Sequence, residues 1–393
     1  MKIPNSRSIS SEWEELYLNA PIRGSVMFTG PPGTGKTLIA FFRAKELAEQ
    51  KIEPHVLMFG NVLKRYTDNA TGKHTARIKS DTLLSWIKIW WSDHRIKING
   101  SYDPPEISKF NPDWGLMLCE MAVRVSDEQP IRDWKHLIID EAQDFPESMF
   151  SFLRFVSSHM KNGGITILAD ENQRLSENNS SLNEIKKALA IPESNCYQLT
   201  ENFRNTKEIA LLAAHFYVGL PTGIPDIPSR RGEVPELYKT SSLNNQITYI
   251  IKSLKIKGYA HVGVFTQFDK IRERILQGLQ PALKGQYHVQ SYSSVLENKG
   301  KYPARNLVFD KAGTVTVINQ QSCKGLEFDA VFIPEIQSVS IDESDLDVFK
   351  MNMYVMCSRA RVSLCLLYSS TGEDLPRIIK YLPNLESGII NQV

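Results

Sequence analysis

Residues 25–37 read SVMFTGPPGTGKT, and the fold follows from where this stretch changes character. Five residues of strand character, 25–29, run directly into Gly30-Pro31-Pro32-Gly33-Thr34-Gly35-Lys36-Thr37. A helical pattern begins at Leu38. Strand, glycine-rich turn and helix in that order aim backbone N–H groups inward around a phosphate. Lys36 then reaches the β- and γ-phosphates, Thr37 offers its hydroxyl to Mg2+, and the helix N-terminus at Leu38 adds its dipole. The plainer alternative is a Gly-rich turn between a strand and a helix.

A second stretch completes that chemistry. Leu137-Ile138-Ile139-Asp140-Glu141 is an apolar run ending in two acids. In open α/β sheets ligands bind beyond the carboxyl ends of the strands. Asp140 is placed to hold Mg2+ through water, and Glu141 to polarise an attacking water. The alternative is a strand end followed by acidic turn residues.

Similar apolar runs at 55–59, 165–169, 197–199, 261–266, 314–318, 330–333 and 363–368 read as further buried strands. Strands alternating with helical stretches predict an α/β chain with parallel sheets. The strands fall into two groups. Between them, 205–260 holds a helix and then the Pro/Gly-rich stretch 221–235, which predicts domains at 1–200 and 201–393. No internal repeat is visible, and the last residues, 388–393, suggest nothing.

The bulk numbers exclude more than they assign. Of 393 residues, 42% are hydrophobic and 23% charged, the mix of a globular protein with real cores. A formal net charge of +2 neither demands nor excludes a nucleic-acid partner. Five cysteines without a C-x-x-C pair indicate neither zinc nor a disulfide framework, and favour a reducing cytoplasm. The N-terminus lacks the apolar core of a signal peptide, and no apolar run is long enough for a membrane span.

The residues around these motifs resemble UvrD/Rep-like superfamily 1 helicases. Asp140-Glu141-Ala142-Gln143-Asp144 matches the DEAQD box, Ala169-Asp170-Glu171-Asn172-Gln173 the GDxxQ box, and Leu199-Thr200-Glu201-Asn202-Phe203-Arg204 the L-x-x-N-[YF]-R box. Lys324-Gly325-Leu326-Glu327-Phe328 matches KGLEF, and Ser358-Arg359-Ala360 the TRA box. Phe59-Gly60-Asn61 and Thr82 to Trp86 are similar to motifs Ia and Ib. The matches run in family order over roughly 25–370.

The resemblance implies two RecA-like P-loop domains with ATP in the cleft between them, bound with Mg2+ at Thr37 and Asp140. It implies that Phe203 stacks on the adenine, that Arg204 and Arg359 reach the γ-phosphate, and that Glu327, beside Gly325, binds the ribose. It also implies that Gln173 links the γ-phosphate to the nucleic-acid surface. Single-stranded DNA is the implied partner, near Phe59, Asn61, Lys64, Arg65, Thr82, Ser85 and Gln321. The basic stretch 64–79 fits phosphate contacts, or equally a solvated loop.

Three departures bear on function. The interval 88–132 leaves no room for a large insertion domain, nor does that between the NFR and KGLEF boxes. The segment after Gln173 has no aromatic to stack on bases. Residues 1–30 contain no glutamine for an adenine motif, and Gln321 stands where the family has His. Trp86 and Trp90 share a helix face and read as core, as do Met351, Met353 and Met356. Glu184-Ile185-Lys186 has the spacing of a nuclease core but reads as an exposed helix. The expected activity is ATP hydrolysis on single strands with weak unwinding. The alternative is an ATP-gated regulatory subunit of a nuclease-containing complex, loosely like the helicase-like component of Gabija antiviral defence. A P-loop kinase is a weaker third reading.

Overall fold

Strands form where branched and aromatic residues can be buried on both faces, and the longest such runs make the centres of two sheets. The computed structural model describes residues 20–58, 64–65, 78–173, 179–293, 300–372 and 375–393. The first sheet gathers β1 (Ser25–Thr29), β2 (Pro54–Met58), β3 (Lys79–Thr82), β6 (His136–Ile139), β7 (Gly164–Ala169) and β8 (Cys196–Gln198) in the order β3-β2-β6-β7-β1-β8. Its helices are α1 (Lys36–Glu49), α2 (Leu83–Ser92), α3 (Trp114–Ser126), α4 (Glu147–Ser158) and α5 (Leu182–Leu189). A small antiparallel hairpin of β4 (Glu106–Ser108) and β5 (Asn111–Pro112) stands apart.

The second sheet gathers β9 (Glu236–Thr240), β10 (His261–Thr266), β11 (His288–Ser291), β12 (Thr314–Asn319), β13 (Phe328–Ile333), β14 (Ala360–Ser369) and β15 (Asn391–Gln392). Its order is β11-β12-β10-β13-β14-β9-β15. Helices α6 (Lys207–His215), α7 (Leu243–Lys257), α8 (Asp269–Ala282) and α9 (Leu346–Cys357) accompany it. Every pairing within these two sheets is parallel. The chain is thus α/β with parallel sheets, as the alternating pattern predicts, in the two RecA-like units that the resemblance implies. The expected strand at 137–140 begins one residue earlier and ends at Ile139, which leaves Asp140 just past the ladder.

Apolar packing binds the layers. Trp86, Trp90 and Trp91 are buried against Trp114, Trp134 and Phe152 on one face of the first sheet. Met353 and Met356 are buried in a cluster that also holds Val26, Phe28 and Ile39 of the first sheet's layer and Phe265, Ile318 and Phe328 of the second. The sheets therefore share one continuous apolar contact. Of the five residues expected in the core, Trp86, Trp90, Met353 and Met356 are buried, and Met351 is half-buried.

Beneath the first sheet lies a buried polar group with a pH consequence. His136 is fully buried on β6, its Nε2 2.8 Å from Thr166 Oγ1, and Thr166 also accepts from Arg43 Nε at 2.7 Å. Burial, with the Arg43 charge adding to it, pushes the imidazole down to about 3. The folded value lies below the unfolded one of about 6.5. The unfolded chain therefore binds the extra proton between those values. This contribution is complete above about pH 6.5 and falls away toward pH 3, at a limiting slope of about 1.4 kcal/mol per pH unit. In urea melts, wild type should lose more stability than His136→Gln between pH 6.5 and 4.5. Parallel curves would mean that His136 is not the group responsible.

Candidate nucleotide site

The loop after β1 is held open by its glycines and braced from the side. Gly33 and Gly35 have φ of 90° and 82°, in the left-handed region that favours glycine. A Cβ on Gly30 would meet Leu199 O at 2.8 Å, and one on Gly33 would meet Asn202 Oδ1 at 2.7 Å. The NFR segment thus lies directly against the loop, and Phe203 N–H donates to Gly33 O at 3.0 Å. Pro31, Pro32 and Thr34 are buried, and Leu38 sits half-buried in the first turn of α1. Phe203 is half exposed beside the loop.

Lys36 is buried, donating Nζ to Gly30 O at 2.5 Å and Pro31 O at 3.1 Å, with Asp170 Oδ2 at 3.6 Å. Thr37 Oγ1 donates to Asp140 Oδ2 at 2.8 Å. A hydroxyl and a carboxylate converging at the helix N-terminus form an oxygen donor set that fits a hard cation such as Mg2+. Burial and the neighbouring Glu141 push the Asp140 carboxyl up to about 7. A cation bound there would reverse that shift by favouring the carboxylate.

Glu141 takes the opposite direction. Burial alone would raise it, but Lys324, Lys36, the hydrogen bond from Gln143 and Arg359 together hold it below the usual carboxylate range. Its backbone is left-handed, with φ 54°. A non-glycine residue in that region costs about 1–3 kcal/mol, which marks the turn as one worth a functional reading. Gln143 fixes the side chain: its Nε2 donates to Glu141 Oε2 at 2.7 Å, while its Oε1 accepts from Asp170 N–H at 2.9 Å.

The second sheet supplies the far wall. Arg359, between α9 and β14, is 1% exposed, and donates to Val355 O at 2.9 Å and Ser358 Oγ at 3.0 Å. Burial, then the charge of Arg204, lowers it to about 10. Arg204 is paired with Glu327 at 2.8 Å. The two residues expected on γ-phosphate and ribose are therefore each other's partners here, because each neutralises the other's burial. Gly325 makes its turn at φ 72°. The expected link through Gln173 lies at the end of the short turn Glu171–Gln173, with its side chain outside the described residues.

Two contacts that the sequence reading missed join the walls. Lys324 Nζ lies 2.6 and 2.7 Å from the Asp144 carboxylate oxygens, in a buried ion pair between the two sheets. Asn205 Nδ2 donates to Ser358 O at 3.2 Å and Ala360 O at 2.5 Å, joining the NFR and TRA boxes. Neither partner was legible locally, since 180 positions separate Lys324 from Asp144.

The nucleic-acid candidates are more scattered. Thr82 caps α2, its Oγ1 2.9 Å from Ser85 Oγ, with Ser85 exposed. Arg65 donates Nε to Leu307 O of the second sheet's layer at 2.9 Å, so it bridges the layers. Lys64 is half-buried, and Gln321 is exposed at the end of β12. Phe59 and Asn61 lie outside the described residues. Glu184 closes a capping box with Ser181 at the start of α5, as an exposed helix requires.

Residues 18–179 match the family model of an AAA domain. No curated protein matches the chain's sequence. Among solved structures, the C-terminal domain of a possible DNA helicase from Lactobacillus plantarum WCFS1 is similar over 48% of this chain and 97% of that one, at 18% identity and a TM-score of 0.33. The DUF1998 helicase MrfA bound to DNA is similar over 94% of this chain and 48% of that one, at 11% identity and a TM-score of 0.49. The chain spans about half the length of the latter. With the P-loop after β1, the acidic end of β6 and the AAA match over 18–179, this chain is a P-loop ATPase. No helix among the described residues is long and apolar enough to cross a membrane.

Proposed function

We propose that the chain hydrolyses ATP in the cleft between its two sheets as a UvrD-like superfamily 1 motor on single-stranded nucleic acid. The observation that carries this is the convergence of boxes from both sheets on one loop: Lys36, Asp140 and Glu141 from the first, Lys324, Arg359 and the Arg204-bound Glu327 from the second. Phosphoryl transfer needs positioning and charge neutralisation more than covalent chemistry. In this reading Thr37 and Asp140 hold Mg2+, which neutralises phosphate charge when bound. Glu141 accepts a proton from the attacking water, Lys36 orients the phosphates, Arg204 and Arg359 face the γ-phosphate, and Phe203 stacks on the base. The domain division falls near residue 200, after β8.

A second reading, an ATP-gated subunit of a nuclease-containing complex, is favoured by the hairpin region, where Ile89, Ile107 and Phe110 are 62%, 69% and 53% exposed. Exposed apolar surface of this kind suits a protein partner.

The two readings separate in one experiment. ATP turnover is measured without nucleic acid, with single-stranded DNA, and then on a forked duplex in low salt. Single strands should raise turnover while the duplex stays closed. Each base-pair step costs roughly 1.4 kcal/mol to open, and the small hairpin of β4 and β5 offers little to hold a duplex. Turnover indifferent to single strands would overturn the motor reading, and processive unwinding would overturn the expectation of a weak grip.

A further inference from the structure

We propose that Arg230, on the proline-rich segment 221–232, is a positioning residue for Arg204, holding it in register with the strand that follows Arg359. The proposal rests on the reading above in which those two arginines face the γ-phosphate. Arg230 Nη2 donates to Arg204 O and, at 2.7 Å, to Arg361 O, partners 26 and 131 positions away along the chain. The first carbonyl belongs to the NFR box, the second to the start of β14. One charged nitrogen thus ties together the backbones that carry the two arginines. The neighbouring cation Arg361 is turned instead to Asp329, at 3.6 Å. Asn205 secures the same junction from the buried side, through Ser358 O and Ala360 O, and Arg230 closes it from the exposed side.

The segment that carries Arg230 is itself fixed. Pro221, Pro225 and Pro228 lock their own φ angles. Thr222 is buried, and its Oγ1 accepts from Glu171 N–H at 3.0 Å, while Asn172 Nδ2 donates to Gly223 O at 2.5 Å. Asp226 N–H donates to Thr200 O, and Lys207 N–H to Arg230 O, both at 2.7 Å. Gly232 N–H donates to Glu208 Oε2 at 2.7 Å, and a Cβ on Gly232 would meet Thr206 Cγ2 at 2.5 Å. The segment is therefore anchored along its length, from the turn after Asp170 to the start of α6, and Arg230 reaches out from a rigid base. An arginine that acts on transition-state charge works only when oriented beforehand. A displacement of about 1 Å can cost about 10² in rate, even when its cause lies away from the chemistry.

The test measures phosphate release at saturating ATP and nucleotide affinity by displacement of a fluorescent analogue. The proteins are wild type, Arg230→Ala, Arg230→Lys, Arg204→Ala, Arg359→Ala and the double variant Arg230→Ala/Arg204→Ala. Arg230→Ala should lower kcat about ten- to a hundredfold, with ATP affinity close to wild type. Arg230 is exposed, so its truncation leaves no cavity, and the Ala variant should melt near wild type. Lysine keeps donors for both carbonyls on one nitrogen and should recover most of the rate. The double variant decides the route. If Arg230 acts through Arg204, removing it should cost little further in a chain that already lacks the Arg204 side chain. Losses that multiply, an equal fall in affinity and turnover, a Lys variant as slow as Ala, or full activity in the Ala variant would each overturn the positioning role alone. Wild-type turnover by both Arg204→Ala and Arg359→Ala would overturn the γ-phosphate reading and this proposal with it.

Discussion

Glu141→Gln is expected to bind ATP as wild type does and to turn it over at least 10²–10⁴-fold more slowly, the range a positioned general base contributes. The side chains have the same size, and Gln can inherit the 2.7 Å contact with Gln143 after an amide rotation. The left-handed backbone strain is common to both. What disappears is a carboxylate that Lys324, Lys36 and Arg359 keep charged against the pull of burial. Lys36→Ala should abolish turnover as well, but by a different route. It removes the phosphate ligand and one partner of the buried Asp170 at 3.6 Å, so nucleotide affinity and folding stability should fall with it. The measurement is a pair: nucleotide affinity by fluorescent-analogue displacement, and phosphate release at saturating ATP. Near-normal turnover by the Gln variant would remove Glu141 from the chemistry.

The parts of this site that were legible in sequence are those whose geometry is local. A strand, a glycine-rich turn and a helix start are encoded within residues 25–38, and an apolar run ending in Asp140-Glu141 encodes the other half. Strands buried on both faces read as continuous apolar runs, which is why β1 and β10 fall on their expected residues. The missed strands lie mostly at edges. β3 reads Lys-Ser-Asp-Thr and is partly exposed throughout; β11 and β15 close the two ends of the second sheet. An edge strand has one free side and needs no apolar run. β15 falls in the last residues, which seemed uninformative, and β9 follows the Pro-rich stretch that read as linker.

A repeat was also hidden. Glu335, after β13, has φ 53° against 54° for Glu141, and each opens a short 3-10 turn. Gln337 Oε1 accepts from Ser369 N–H at 3.2 Å at the end of the neighbouring strand β14, as Gln143 does from Asp170 beside β7. The shared feature is a backbone angle and a hydrogen bond, so sequence comparison within the chain misses it. Pro334 occupies the place of Asp140, and Glu335 is held by Gln246 and Ser369. The second copy keeps the turn without the acid pair, so the candidate metal ligand and base lie on the first sheet while the second contributes cations.

Arg359→Ala is expected to lower kcat by about 10³ while changing ATP affinity far less, the signature of a group that acts on charge developing in the transition state. Arg359 sits at the junction of α9 and β14, buried, with its Nε and one terminal nitrogen already held by Val355 O and Ser358 Oγ. Those bonds orient the guanidinium before any nucleotide arrives, so little reorganisation remains at the moment of reaction. Its neighbours argue the same way. Glu141 and Asp170 attract it, Arg204 repels it, and burial lowers it only to about 10, which leaves it cationic near neutral pH. A buried arginine can also be structural, so truncation alone is ambiguous. Arg359→Lys resolves this by keeping the charge and most of the volume while losing the planar fork. A transition-state role predicts that the Lys variant melts near wild type, binds ATP near wild type and still turns over slowly. Equal losses in affinity and turnover, or full activity with lysine, would assign Arg359 to ground-state binding or to packing instead.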